Sequence, residues 1–83
     1  MELEQLVREL RYPGDVRQLS RSLVRIRQLL LADSKALERS QNRAFFDKWC
    51  QQPFVQAGWL PGGEFWNSQN IGEFLADFGT LKV

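Results

Sequence analysis

The sequence predicts an all-α fold, a small bundle of three to four short helices with a loop-rich, aromatic C-terminal third. Apolar residues recur at the i, i+3, i+4, i+7 spacing of an amphipathic helix in residues 3–10 and 71–78. Another apolar stripe runs through residues 16–30, and residues typical of helix caps and breaks separate the three segments. Because 83 residues are enough for one domain only, we expect a single helical domain over residues 1–83.

The first predicted helix covers residues 3–11. Its apolar face consists of Leu3, Leu6, Val7 and Leu10. The run Tyr12-Pro13-Gly14 ends it, because the residue before a proline avoids the helical region and glycine permits a sharp reversal of the chain.

The second predicted helix, residues 16–31, has the clearest amphipathic pattern. Asp15 is a suitable N-cap, and Gln18 lies three residues later as in a capping box. The apolar stripe consists of Val16, Leu19, Leu23, Ile26, Leu29 and Leu30. We expect a break near Asp33, because one helix continuing to Gln52 would be longer than a compact domain of this size is wide.

The third predicted helix follows this break and ends before Pro53. Between residues 53 and 70 the helical pattern is lost, and two prolines and three glycines are interspersed with bulky apolar residues. This composition predicts loops with at most one short helical turn.

The last predicted helix starts at Asn70, which is a suitable N-cap, with Glu73 placed to complete a capping box. Its apolar face consists of Ile71, Phe74, Leu75 and Phe78. We expect Gly79 to end this helix in the left-handed conformation, with Leu81 making the apolar contact that accompanies such a cap.

The composition argues against catalysis. Histidine is absent, which excludes zinc sites built with histidine and acid–base mechanisms that depend on it. The carboxylates are scattered singly, and Cys50 lies among bulky residues, where an inert buried thiol is expected. We therefore expect no catalytic residue, no metal, no cofactor and no enzymatic activity.

Charge and hydropathy predict a soluble chain in a reducing compartment. The single cysteine cannot form an internal disulfide, which favours a cytoplasmic location. The first 30 residues carry charges throughout, unlike a secretory leader, and no apolar run approaches the roughly 20 residues of a membrane span.

Two short runs match known motifs by chance. Asp77-Phe78-Gly79 has the letters of the magnesium-binding triplet of protein kinases, but the glycine-rich loop and catalytic residues of a kinase are missing. Residues 62–65 resemble part of the signature loop of diguanylate cyclases, without its second acidic residue or any strand pattern around it. A helix terminus and a turn explain the two runs.

The irregular segment contains the candidate binding surface, which consists of Phe54, Trp59, Leu60 and Trp66. Helical periodicity does not assign these residues to the core, although packing in the core is the alternative interpretation. Tryptophan is frequent at the energetic centres of protein interfaces. We predict a non-enzymatic protein–protein interaction module, such as a small adaptor, regulator or assembly subunit, that binds a protein partner through this surface. Self-association through the same surface is a further hypothesis.

A second hypothesis is a nucleic-acid or acidic-partner contact through Arg17, Arg21 and Arg25, which lie opposite the apolar stripe. Three guanidinium groups one turn apart extend over about 12 Å and can follow a phosphate backbone. The alternative is an ordinary solvent-exposed helix face, and the net charge of only +1 favours it. Arg27 lies at the flank of the stripe, where we expect it to pair with Glu73 or Asp77.

Overall fold

The computed structural model describes residues 16–59 and 64–82. Within these ranges the protein is helical without any β-strand, so the all-α prediction is confirmed. The elements are α1 (Val16–Ala32), α2 (Ser34–Glu38), α3 (Ser40–Phe45), a π-helical turn (Phe46–Cys50), α4 (Pro53–Ala57) and α5 (Ser68–Phe78). The predicted helix at 3–11 lies outside the described residues.

The long helix α1 begins at the predicted residue, ends one residue later than predicted, and has the predicted buried face. Its innermost residues are Leu19, Leu23, Ile26 and Leu30. Val16 and Leu29 pack at the edge of the same core. The 3.6-residue period places these side chains in one stripe, and burying that stripe is the main source of the helix's stability.

The expected break near Asp33 is confirmed, and a second break follows it. Asp33 caps α2 by accepting a hydrogen bond from the backbone N–H of Ala36 at 3.2 Å. Arg39 then adopts an extended conformation, with ψ of 131°, and separates α2 from α3. The predicted continuous third helix is therefore wrong, because the chain turns at a residue that carries no proline or glycine signal.

A π-helical turn, Phe46–Cys50, follows α3 directly, and the helical segment ends with it, before Pro53. Its three buried side chains are Phe46, Trp49 and Cys50, while Asp47 and Lys48 remain exposed. The wider turn is rare in proteins and occurs here where two large aromatic side chains enter the core.

The predicted short helical turn in the irregular segment is confirmed as α4. Pro53 stands at its first turn, where its missing N–H is not needed. Gly58 ends it with φ of 76°, the left-handed conformation that glycine adopts without steric penalty. The N–H of Gly58 bonds to the Val55 carbonyl at 3.2 Å and that of Trp59 to the Phe54 carbonyl at 2.8 Å, which is a Schellman motif.

The final helix, α5, begins three residues earlier than predicted. Its N-cap is Asn67, whose side chain accepts from the backbone of Gln69 and Asn70, and Asn70 completes the capping box in place of Glu73. The prediction for Gly79 is also wrong, because its φ of −65° is right-handed. The chain leaves α5 through tight turns, with the N–H of Leu81 bonded to the Phe78 carbonyl at 3.2 Å.

An aromatic cluster joins the elements, with Phe74 of α5 at its centre. The Phe74 ring is fully buried and lies within 5.3 to 5.8 Å of four other rings, measured between centroids. These rings belong to Phe45, Trp49, Trp66 and Phe78. Tilted and edge-on contacts of this kind stabilise a core beyond the burial of their area.

Candidate interaction surface

Trp66 is a core residue in the structure. Its side chain is 3% exposed, and its indole N–H donates a hydrogen bond of 2.7 Å to the Ser20 hydroxyl on α1. The Phe65 ring lies against it, edge-on, at 4.9 Å. The hydroxyl satisfies the one polar atom of the indole, which makes complete burial favourable.

Phe54 is also buried, and its ring packs at 4.7 Å against that of Phe65. Two of the four residues predicted to form the binding surface therefore lie in the core, where a partner cannot reach them without unfolding. The bond from Trp66 to Ser20 spans 46 positions of sequence, so local patterning gives no sign of it. Leu60 lies outside the described residues.

Trp59 differs from the other two tryptophans in its exposure. It is 56% exposed, whereas Trp49 and Trp66 are 4% and 3% exposed. The indole N–H of Trp49 donates to Asp77 at 2.8 Å, so both buried indoles have hydrogen-bond acceptors. Within the described ranges, no acceptor for the Trp59 indole and no ring stacked on it is found.

The backbone of Trp59 is fixed although its side chain is exposed. The Schellman motif ties its N–H to α4, and α4 is anchored by the buried side chains of Phe54 and Val55. The indole therefore projects from a rigid support. The sequence contained a signal for this support, because a proline at the start and a glycine just past the end are typical of a short helix.

The segment around Trp59 is uncharged. Residues 51–59 contain no acidic or basic side chain and include three glutamines. The side-chain amide of Gln56 donates to the backbone carbonyl of Gln51 at 3.0 Å and to its side-chain oxygen at 3.2 Å. The segment that precedes Trp59 along the chain therefore offers amide groups that form hydrogen bonds and carry no net charge.

The acids expected to pair with Arg27 bind Lys48 instead. The Lys48 ammonium lies 2.6 Å from a Glu73 oxygen and 2.8 Å from an Asp77 oxygen. These hydrogen bonds, that to Asp77 first, raise the pKa of Lys48. The prediction for Arg27 is wrong because the π-helical turn brings Lys48 over α5.

The carboxyl of Asp77 responds to opposing influences. Partial burial raises its pKa, but hydrogen bonds from Lys48 and Trp49, together with the Lys48 charge, outweigh burial and hold the pKa below its ordinary value. Asp77 also lines an open groove of about 300 Å³, whose other lining residues are Gln41, Ala44, Phe45, Lys48 and Thr80.

The three arginines proposed as an alternative contact are exposed on α1. Arg17, Arg21 and Arg25 occupy the face opposite the buried stripe, and α1 contains no acidic residue. The Arg25 guanidinium donates to Gln28 at 3.0 Å, and both Arg17 and Arg25 have interactions within the protein. The predicted position of this row is therefore confirmed, whereas its binding role stays a prediction.

Cys50 is fully buried, as expected. Burial raises the pKa of its thiol to about 12, and the opposing effect of the Arg27 charge is smaller. The thiol is therefore protonated at neutral pH, which makes it a poor nucleophile.

Across residues 16–59 and 64–82, no three His, Cys, Asp or Glu residues are grouped to hold a metal ion. No helix in these ranges has the length and apolarity required to cross a membrane.

No protein-family model, curated protein or solved structure matches this chain. A proposal about its function therefore depends on the residues and geometry described above.

Proposed function

We propose that this protein is a non-enzymatic interaction module that binds a protein partner through Trp59. The observation that carries the proposal is a large indole, 56% exposed, on a backbone fixed by the Schellman motif of α4. An exposed indole on a rigid support loses little conformational entropy when it enters an apolar pocket, and such residues dominate interface energies.

The surroundings of Trp59 indicate the chemistry of the partner. Because residues 51–59 are uncharged and rich in glutamine, the matching surface is an apolar pocket with hydrogen-bonding groups at its rim. A pocket of this kind binds through burial of the indole and not through charge attraction. The affinity is therefore expected to depend weakly on salt.

Two other features bear on the function. The buried thiol of Cys50 argues against catalysis, whereas the row of exposed arginines supports a different kind of binding. The protonated thiol gives no support to nucleophilic catalysis. The arginines support a second candidate, binding of nucleic acid along α1, because three exposed cations occur at one-turn spacing on a helix without acids. An acidic protein partner would use the same row.

The experiment is affinity capture from native lysate, with and without nuclease treatment, and with wild type and Trp59→Ala as baits. We expect a protein partner to be retained by the wild type and lost by Trp59→Ala. The matched control is Leu31→Ala, because Leu31 is the other large apolar side chain that is exposed within the described ranges, at 50%. This control is expected to capture the partner as well as the wild type does.

Three outcomes would contradict the proposal. A partner captured equally by wild type and Trp59→Ala does not use the indole. Loss of capture by both Trp59→Ala and Leu31→Ala indicates a general apolar contact. A signal that disappears after nuclease treatment, and also in a variant with glutamate at Arg17, Arg21 and Arg25, supports the nucleic-acid candidate instead.

A further inference from the structure

Asn42 links three segments of the protein through one buried carboxamide. Its side chain is fully buried in α3. The amide nitrogen donates to the carbonyl of Ala36 at 2.9 Å and to that of Lys82 at 2.8 Å, and the amide oxygen accepts from the N–H of Lys82 at 2.8 Å. Only this orientation of the carboxamide satisfies all three partners.

The contact with Lys82 is made entirely with backbone atoms. Asn42 binds both the N–H and the C=O of this residue, as a neighbouring β-strand would. The Lys82 side chain takes no part in these hydrogen bonds, and the residue itself is exposed. The preceding residue, Leu81, is 7% exposed and belongs to the hydrophobic core.

We propose that residues 79–82 form a strap that opens and closes on the folded core, and that Asn42 is the latch that holds it closed. The strap is attached by the two Lys82 bonds, the buried Leu81 side chain and short turn contacts to the end of α5. A segment held by so few contacts within residues 16–59 and 64–82 opens locally, without unfolding of the remaining core.

Opening of the strap changes the groove beside α3. Thr80 lines this groove together with Ala44 and Phe45, so displacement of the strap removes one wall. Opening also withdraws Leu81 from the core and leaves the Asn42 carboxamide without two of its three hydrogen bonds. The loss of these buried bonds is the physical reason why the closed form is favoured.

The test uses Lys82→Pro, which removes the N–H that donates a hydrogen bond to the amide oxygen of Asn42. The variant leaves Asn42 and its hydrogen bond to Ala36 in place. Lys82→Ala is the matched control, because it keeps the N–H and removes only the side chain. Amide hydrogen exchange followed by NMR compares Leu81, in the strap, with Leu23, in the middle of α1.

In the wild type, we expect the Leu81 amide to exchange at least about tenfold faster than that of Leu23. Lys82→Pro should accelerate exchange at Leu81 by about a further tenfold and change Leu23 less than about twofold, while Lys82→Ala changes neither. Equal exchange at Leu81 and Leu23 in the wild type would show that the strap opens only with the whole fold. An unchanged Leu81 rate in Lys82→Pro, or an equal rise at both sites, would show that Asn42 is no latch.

Discussion

The two buried tryptophans each give their indole N–H to a specific acceptor. Trp66 donates to Ser20, and Trp49 donates to Asp77, which also binds Lys48. A buried indole without an acceptor would lose the free energy of a hydrogen bond to water, so these two contacts allow the rings to enter the core. Trp59 has no such contact within the described residues and lies at the surface.

The carboxyl of Asp77 makes the stability dependent on pH. Its pKa in the folded protein is lowered, so its contribution is fully present above the ordinary aspartate pKa of about 3.9. This contribution is lost as the pH falls through the lower folded value. We expect the free energy of unfolding to fall less in Asp77→Asn than in the wild type as the pH decreases below about 4.

Urea denaturation at several pH values measures this difference, and Glu73→Gln is the control. Glu73 is the other carboxylate that binds Lys48, but it makes no bond to the Trp49 indole. Glu73→Gln should therefore keep most of the acid sensitivity of the wild type. The same pH dependence in wild type and Asp77→Asn would show that the bonds from Trp49 and Lys48 do not stabilise the folded carboxylate.

At the scale of the elements, two glycines have opposite roles. Gly58 has a left-handed backbone at the end of α4, whereas Gly72 lies on the exposed side of α5. A Cβ atom at either position would meet nothing within 4 Å, so only backbone conformation distinguishes them. We expect Gly58→Ala to lower the free energy of unfolding by about 1 kcal/mol and Gly72→Ala to raise it by up to about 1 kcal/mol.

Chemical denaturation of the two variants checks these opposite signs against the wild type. Gly58→Ala should also alter the fluorescence of Trp59, because the Schellman motif that fixes this residue is weakened. A Gly58→Ala variant that is as stable as the wild type would contradict the left-handed conformation of Gly58. A destabilised Gly72→Ala variant would contradict the placement of Gly72 in an exposed helical turn.

The sequence predicted elements where a periodic apolar stripe dominates. The face of α1 and the stripe of α5 follow from side chains at 3.6-residue spacing, and the break at Asp33 follows from its capping side chain. The break at Arg39 and the π-helical turn have no such signal. The cap of α5 was misplaced because Asn67 and Asn70 are both suitable residues, and only the folded chain distinguishes them.

The candidate site was predicted in part. The sequence singled out Trp59 together with Phe54, Leu60 and Trp66, but it could not separate exposed residues from buried ones. The separation depends on contacts between distant segments, such as the bond from Trp66 to Ser20 and the packing of Phe54 on Phe65. The sequence also gave no sign that Asn42 is buried and hydrogen-bonded, because its partner Lys82 is 40 residues away.

At the scale of the molecule, the described chain consists of an aliphatic helix face and an aromatic cluster packed against each other. Leu23 and Ile26 of α1 belong to the same core as Phe74 and Trp66. This core takes in most of the bulky residues of the irregular segment and leaves Trp59 outside. The exposed indole is therefore an exception among the aromatic rings of residues 16–59 and 64–82, since the others are buried or, at Phe65, partly buried. This exception is the reason for the proposal that Trp59 binds a partner.

The most direct test of this account compares the free energies of unfolding of Trp59→Ala and Trp66→Ala. Trp66→Ala should lose about 3–5 kcal/mol, because it removes a buried ring and the hydrogen bond from the indole to Ser20. Trp59→Ala should stay within about 0.5 kcal/mol of the wild type, as expected for an exposed side chain. A loss at Trp59 as large as that at Trp66 would place Trp59 in the core and contradict its proposed role as the residue that binds a partner.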